Sequence, residues 1–168
     1  LESAKKFQSN FATIENALKI NGQMPNYISN RLEKSLSQKS LEKSVIVCGL
    51  SYKPNVEDMR DSASFKIISD LKKKNFEVFG YDPYFSNEST EKYLIENNLN
   101  ELNFKKIENL NDENLKGISC LCVVQHHDSV KERVSEIYKQ GTIPLIYDCQ
   151  HKISKESNSK SILEFLGE

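Results

Sequence analysis

The sequence has little excess of either charge and contains no long apolar segment. It has 23 Lys and Arg residues against 24 Asp and Glu residues, which gives a formal net charge of −1. A dedicated nucleic-acid-binding protein usually carries a clear basic excess, so this balance argues against that class. The longest apolar run covers residues 120–124, whereas a membrane helix needs about 20 apolar residues. We therefore expect neither a nucleic-acid partner nor a membrane partner.

Cysteine is also scarce, with four copies and no Cys-x-x-Cys motif. Three copies lie inside apolar, strand-like segments, and Cys149 follows another such segment. Cys120, Cys122 and His126 are close in sequence, but they lack the second ligand pair of a usual zinc site. His126 and His127 are poorly placed to share a metal, because neighbouring side chains on an extended segment point in opposite directions. We therefore expect no metal, and reduced core thiols in a cytoplasmic protein.

Residues 1–42 are predicted to form a helical segment that precedes the main domain. Asn21–Gly22 predicts a break or bend, and Pro25 suits the first turn of a second helical stretch. A long amphipathic helix outside the main core must bury its apolar stripe, so we expect a partner subunit or a further domain to cover it, with residues 5–38 packed in a dimer. The apolar positions at helical spacing are Phe7, Phe11, Ile14 and Leu18, followed by Ile28, Leu32 and Leu36.

Residues 43–168 are predicted to form an α/β domain, because short β-rich segments alternate with helical ones. The near-continuous apolar character of the strand segments favours a parallel sheet that is covered on both faces. Right-handed crossovers make this a doubly wound, Rossmann-like sheet. The predicted strands are 45–48, 76–81, 103–107, 120–124 and 144–148. The predicted helices are 64–71, 91–97, 129–139 and 160–166.

The connection after the first strand is the first place to look for a site, since ligands bind at the carboxyl ends of such strands. It has a single glycine and no G-x-G-x-x-G, so it cannot cradle a dinucleotide pyrophosphate in the usual way. It is also long and carries Lys53 and Arg60, and long charged loops at this edge often carry function. The alternative is a solvated surface loop in which Arg60 pairs with Asp58 or Asp61.

Residues 49–62 read GLSYKPNVEDMRDS and resemble the motif G-L-[AS]-[FY]-K-x-[ND]-x-x-D-x-R-[ED]-S of the UDP-glucose/GDP-mannose dehydrogenase family. Shorter matches to the same family are INGQMPNY at 20–27, YDP at 81–83, VQHHD at 124–128 and YD at 147–148. The resemblance implies that residues 43–168 are the C-terminal UDP-binding domain. It also implies that residues 1–42 belong to the central helix, through which the family forms homodimers.

The resemblance further implies an NAD-dependent enzyme that oxidises the C6 hydroxyl of a UDP-sugar to a carboxylate. In this family an N-terminal Rossmann domain binds NAD, and a cysteine forms the covalent intermediate. The sequence has neither the G-x-G-x-x-G nor the G-G-x-C-x-x-K-D motif of that part. We therefore assign no catalytic residue and expect a fragment that is inactive by itself. The loop and the Met24–Tyr27 segment look more like the branch that uses UDP-N-acetylhexosamines.

Four residues take binding roles from the resemblance. Tyr52 and Lys53 match positions that contact the sugar nucleotide, and a lysine offers a point charge and three donors to a pyrophosphate. Arg60 matches an arginine that reaches the NAD bound by the other domain. Gln150 stands where the family's D-x-R motif places an arginine or a lysine that helps to hold the substrate.

Gln150 is the clearest departure from the family pattern, because glutamine has neither the charge nor the fork of arginine. The UDP site is therefore expected to be weakened or altered, unless His151 or Lys152 substitutes. Gln125, where the family often has an acid, is a smaller departure. These changes keep open an alternative function, a non-catalytic binding or dimerisation module that has lost the UDP site. A receiver-type signalling domain would need an acidic pair after the first strand, which this loop does not supply.

Overall fold

Residues 12–168, which the computed structural model describes, alternate between strands and helices. The strands are β1 (Ser44–Cys48), β2 (Glu77–Tyr81), β3 (Lys105–Ile107), β4 (Cys120–Val123), β5 (Leu145–Asp148) and β6 (Ile162–Phe165). The helices are α1 (Ala12–Gln38), α2 (Ala63–Lys73), α3 (Asn87–Glu96), α4 (Asp112–Leu115) and α5 (Lys131–Gln140). All strand pairs are parallel, in the order β3-β2-β1-β4-β5-β6. The predicted Rossmann-like fold class is confirmed.

The central strands β1, β4 and β5 are buried along their whole length, because helices cover both faces of the sheet. Alternate residues of each strand face opposite sides. The side chains that pack with α1 and α2 are Val45, Val47, Cys120, Cys122, Leu145 and Tyr147. The side chains that pack with α5 are Ile46, Cys48, Leu121, Val123 and Ile146.

The predicted break at Asn21–Gly22 is wrong, since α1 is one continuous helix with Pro25 in its interior. An interior proline costs about 3 kcal/mol or more. Burying a large apolar side chain contributes about 1.5–3 kcal/mol, and α1 buries Ile28, Leu32 and Leu36 against the sheet. Tertiary packing therefore outweighs the local preference for a break.

The same packing shows that the prediction of a partner subunit or a further domain over the apolar stripe of α1 is wrong for the C-terminal half of the helix. Its C-terminal stripe is covered by the sheet of its own domain rather than by a partner subunit or a further domain. Ile14 and Leu18, in its N-terminal half, are 48% and 52% exposed, and their cover stays a prediction. Phe7 and Phe11 lie outside the described residues. Within residues 12–168, no helix has the length and apolar character that crossing a membrane requires.

The predicted helix at residues 160–166 is also wrong, because this segment forms the edge strand β6. The amide of Ile162 donates to Pro144 O at 2.8 Å, and Ser161 Oγ donates to Ile143 O at 2.6 Å. These hydrogen bonds align β6 beside β5. They join residues that are far apart in the chain, so a local apolar spacing that suits a helix did not reveal them.

Candidate functional site

The strand order reverses at β1, which lies between β2 and β4. In open α/β sheets, ligands bind beyond the carboxyl ends of the strands at such a point. Here residues 49–62 follow β1, residues 82–86 follow β2 and residues 124–130 follow β4. Their side chains and backbone groups form the candidate site.

Asp82, directly after β2, is a buried carboxylate that holds the beginning of the β1 connection. Its Oδ2 accepts the amides of Leu50 (2.8 Å) and Ser51 (2.9 Å) and the hydroxyl of Ser51 (2.6 Å). Its Oδ1 accepts the amide of Tyr84 at 2.9 Å. Burial acts to raise the pKa of Asp82, but hydrogen bonds from His127 and Ser51 outweigh it and hold the pKa below its usual value. The carboxylate is therefore ionised and satisfied.

Gly49 allows the β1 connection to pass very close to the β4 connection. Its φ is +93°, and a Cβ at this position would lie 2.5 Å from Gln125 Cβ and 2.7 Å from Gln125 N. Only glycine fits such a conformation and such an approach. The first turn after β1 thus lies directly against the β4 connection, and it lacks the G-x-G-x-x-G pattern that cradles a dinucleotide pyrophosphate.

His127 is fully buried and joins the β1 connection to Asp82. Its Nε2 lies 3.0 Å from Asp82 Oδ2, and its Nδ1 accepts the backbone N–H of Asn55 at 2.9 Å. The Asn55 side chain donates to Asp128 Oδ2 at 2.7 Å, and its Oδ1 accepts the amide of Asp128 at 2.9 Å. The middle of the β1 connection is therefore fixed to the β4 connection.

Tyr52 and Lys53 lie between these fixed points and are exposed. The Tyr52 amide donates to Asp58 O at 2.7 Å, and Tyr52 O accepts from Gln125 Nε2 at 3.1 Å. Lys53 Nζ lies 4.9 Å from the centroid of the Tyr52 ring, a cation–π distance. In the described part of the chain, no carboxylate forms an ion pair with Lys53. The structure thus presents a positive charge without a carboxylate partner beside an aromatic ring, next to a Tyr52 backbone that is held by two hydrogen bonds.

Gln150 also belongs to this arrangement. Its Nε2 donates to Gln125 Oε1 at 2.7 Å, and Gln125 in turn donates to Tyr52 O. The two amides therefore connect the β5, β4 and β1 connections in series. Gln150 is brought next to the segment of Tyr52 and Lys53, but it is already engaged in holding that segment. Its role in substrate binding stays a prediction.

The two residues considered as substitutes for a cation at Gln150 lie elsewhere. His151 Nε2 lies 2.7 Å from Leu166 O, and Lys152 lines a cavity of about 340 Å³ together with His126. Within residues 12–168, neither side chain forms a hydrogen bond to the segment of Tyr52 and Lys53. Among the described residues, neither His151 nor Lys152 therefore places a cation beside Tyr52 and Lys53. The polar group next to this segment is the Gln150 amide itself.

Arg60 is 80% exposed and paired with Asp58. Its Nε lies 2.9 Å from Asp58 Oδ1, and its terminal nitrogen Nη2 lies 2.7 Å from Asp58 Oδ2. The hydrogen bonds from Arg60 lower the pKa of Asp58 to about 2. This is the surface pair that the alternative interpretation of the loop expected. A contact between Arg60 and NAD stays a prediction.

Asp148, at the end of β5, is a second buried carboxylate, and it holds the connection that follows its own strand. Its oxygens accept His126 Nε2 at 2.8 Å and three backbone amides at 2.7–2.9 Å. Burial acts to raise the pKa of Asp148, but these hydrogen bonds hold it below its usual value. His126 and His127 thus point to different carboxylates. Among residues 12–168, no three His, Cys, Asp or Glu side chains are grouped to hold a metal ion.

Sequence reasoning considered His127 only as a metal ligand, and it gave no role to Asp82 or Asn55, although all three lie in matched motifs. The available signal was a polar residue directly after a buried strand, which holds for Asp82 and closely for His127. Asn55 offered no such signal, because its contacts come from the β4 connection more than 70 positions away.

The model for the UDP-glucose/GDP-mannose dehydrogenase family, UDP binding domain, matches residues 46–155. The chain is 32% identical over 161 residues to a UDP-N-acetyl-D-mannosamine dehydrogenase from Methanococcus vannielii, covering 90% of this chain and 34% of that protein. A protein of the same name from Methanococcus maripaludis is 29% identical over 148 residues, covering 85% and 31%. The chain therefore spans about a third of the length of these curated relatives.

Solved structures show the same fold. The UDP-D-ManNAc dehydrogenase of Pyrococcus horikoshii superposes with a TM-score of 0.68 at 20% identity, over 96% of this chain and 35% of that one. The GDP-mannose dehydrogenase of Pseudomonas aeruginosa superposes with a TM-score of 0.70 at 15% identity, over 98% and 36%. The family match covers well over half of this chain. The chain thus belongs to the UDP-glucose/GDP-mannose dehydrogenase family and contains its UDP-binding domain.

Proposed function

We propose that this chain is the UDP-binding part of an NAD-dependent UDP-sugar 6-dehydrogenase. The observation that carries the proposal is the uncommitted charge of Lys53 beside the exposed ring of Tyr52, at the point where the strand order reverses. Such an ammonium group suits the diphosphate of a nucleotide sugar. The tyrosine ring offers a flat face to the uracil or to a sugar.

The proposed substrate class is a UDP-N-acetylhexosamine. The support is that the relatives that match this chain over most of its length carry the name UDP-N-acetyl-D-mannosamine dehydrogenase. The Met24–Tyr27 segment and the β1 connection also look more like that branch. In this proposal Lys53 neutralises the diphosphate, while Gln125 and Gln150 keep the backbone of Tyr52 in place.

NAD accepts the hydrides in a reaction of this class. The turn after β1 contains a single glycine, Gly49, and lacks the G-x-G-x-x-G pattern of a dinucleotide-binding turn. We therefore propose that NAD is bound mainly by an N-terminal domain of the kind found in the family. Arg60 is the residue of this chain that would reach it, by exchanging its pair with Asp58 for a phosphate contact. No catalytic residue is assigned within this chain.

We further propose a homodimer formed through α1. The support is the half-exposed apolar side of its N-terminal part, which includes Ile14 and Leu18. All four cysteines are free thiols, which fits the reducing conditions of the cytoplasm as the proposed location.

Calorimetric titration of UDP into this chain tests the proposed function. We expect saturable binding that Lys53→Ala weakens by about 10- to 100-fold, the range for losing a hydrogen bond to a charged group. Lys116→Ala is the matched control, because this exposed lysine precedes β4 and therefore lies at the amino ends of the strands, away from the candidate site. Equal affinities of the wild type and Lys53→Ala would contradict the proposal.

A further inference from the structure

We propose that His127 is a positioning residue for the UDP-contacting segment, and that it acts as a neutral imidazole through the backbone of Asn55. This inference rests on the proposed function, because it assigns a role to the segment of Tyr52 and Lys53. His127 is fully buried, so it does not touch a ligand itself. It determines where the segment lies.

The hydrogen-bond partners of His127 define its protonation state and tautomer. A backbone N–H can only donate, so Nδ1, which lies 2.9 Å from Asn55 N, must be the unprotonated acceptor. Nε2 therefore carries the proton and donates it to Asp82 Oδ2 at 3.0 Å. An imidazolium would place two donors face to face at Asn55 and would lose that bond.

The position of this bond explains why it affects the binding segment. Gln125 holds the carbonyl of Tyr52 at one end of the segment, while His127 and Asp128 hold Asn55 at the other. Lys53 lies between these two anchors and presents its charge to solvent. Releasing the Asn55 anchor frees the far end of the segment, so Lys53 would no longer be held in one place.

Few charged groups surround the His127 ring, and each has a defined partner. Asp82 faces Nε2, and the Ser51 hydroxyl, which donates to Asp82, lies 3.4 Å from the same nitrogen. Tyr84 packs against the ring with centroids 5.0 Å apart. Asp128 is bound to the Asn55 side chain rather than to the imidazole. The ring is therefore fixed by two hydrogen bonds, one to Asp82 and one to Asn55.

Two substitutions of His127 each remove one of these hydrogen bonds and keep the other. In His127→Asn, the side-chain oxygen takes the place of Nδ1 and keeps an acceptor for Asn55, but the donor to Asp82 is lost. In His127→Gln, the amide nitrogen takes the place of Nε2 and keeps the donor to Asp82, but the acceptor for Asn55 is lost. If the Asn55 bond positions the segment, His127→Asn retains the UDP affinity of the wild type within about threefold, and His127→Gln loses about tenfold or more.

Amide hydrogen exchange at Asn55 provides the second measurement, together with the ¹⁵N shifts of the imidazole. We expect slow exchange at Asn55 in the wild type and in His127→Asn, fast exchange in His127→Gln, and an Nε2–H tautomer. An Nδ1–H tautomer, or equal affinity and exchange in both variants, would overturn the inference. Equal UDP affinities of the wild type and Lys53→Ala would contradict the proposed function but not the positioning role, and without UDP binding the two His127 variants have no affinity to compare. The positioning role is then decided by the exchange pattern and the tautomer alone.

Discussion

The replacement Asp82→Asn is expected to lower the free energy of unfolding by about 2–4 kcal/mol. Asp82 accepts four hydrogen bonds at Oδ2 and one at Oδ1. Asparagine keeps one acceptor oxygen. The amide orientation that preserves more hydrogen bonds places this oxygen at the Oδ2 position. The amide group then faces the Tyr84 N–H, which becomes an unpaired donor and costs about 1–3 kcal/mol. The four remaining bonds lose the strengthening effect of a charged acceptor, which accounts for the rest.

Urea unfolding followed by circular dichroism measures this loss. Asp112→Asn is the matched control, because Asp112 is 84% exposed and pairs with Arg133 on the surface at 2.6 Å. Such a surface pair contributes about 1 kcal/mol or less. A loss below about 0.5 kcal/mol for Asp82→Asn, comparable to that of ordinary surface substitutions, would refute the conclusion that Asp82 holds the β1 connection.

The same replacement predicts a change in the pH dependence of stability. The folded pKa of Asp82 lies below its usual value, so its contribution is complete above the unfolded pKa of about 3.9 and disappears as the pH falls through the folded pKa. The wild type should therefore lose more stability than Asp82→Asn when the pH is lowered below about 4. Parallel curves for the two proteins would show that the carboxylate contributes nothing through its charge.

Two further predictions concern the close approach at Gly49 and the exposed side of α1. Gly49→Ala combines a left-handed φ with a Cβ that lies 2.5 Å from Gln125 Cβ. Urea unfolding should therefore show that the free energy of unfolding falls by about 2–5 kcal/mol. A decrease below about 1 kcal/mol would contradict the close approach of Gly49 to Gln125. Leu18→Lys should give a monomeric mass in light scattering at a concentration where the wild type and Lys19→Ala are dimeric, because it places a charge on the apolar side of α1. A wild type that is monomeric throughout would contradict the proposed dimer.

The central part of the fold was accessible from the sequence because its signals are local. The apolar segments of β1, β4 and β5 read as buried strands, and the structure confirms them. The long motif after β1 predicted binding roles for Tyr52 and Lys53, and these roles stay predictions. The errors arose where long-range contacts decide the structure. The spacing at residues 160–166 suits a helix, but hydrogen bonds to the β5 region align the segment as a strand. Pro25 predicted a helix start, but packing against the sheet keeps α1 continuous.

The candidate site shows the same division. A motif can predict a nucleotide contact for Lys53, since that information is carried by one short segment. It cannot show that Asn55 is held by His127, because the two residues are 72 positions apart. It also cannot show that Asp82 satisfies two amides of a connection more than 30 positions earlier in the chain. The residues that support the site were therefore visible only in the folded protein.

Gln150 acquires a different meaning once these supporting contacts are known. In the sequence it is the loss of a cation at a position where the family holds its substrate. In the structure its amide supports Gln125, which in turn supports the carbonyl of Tyr52. A glutamine can strengthen the placement of Lys53 without contributing a charge of its own. Since the chain as a whole is nearly neutral, the proposed attraction of a diphosphate would then depend on one well-placed ammonium group rather than on a basic surface.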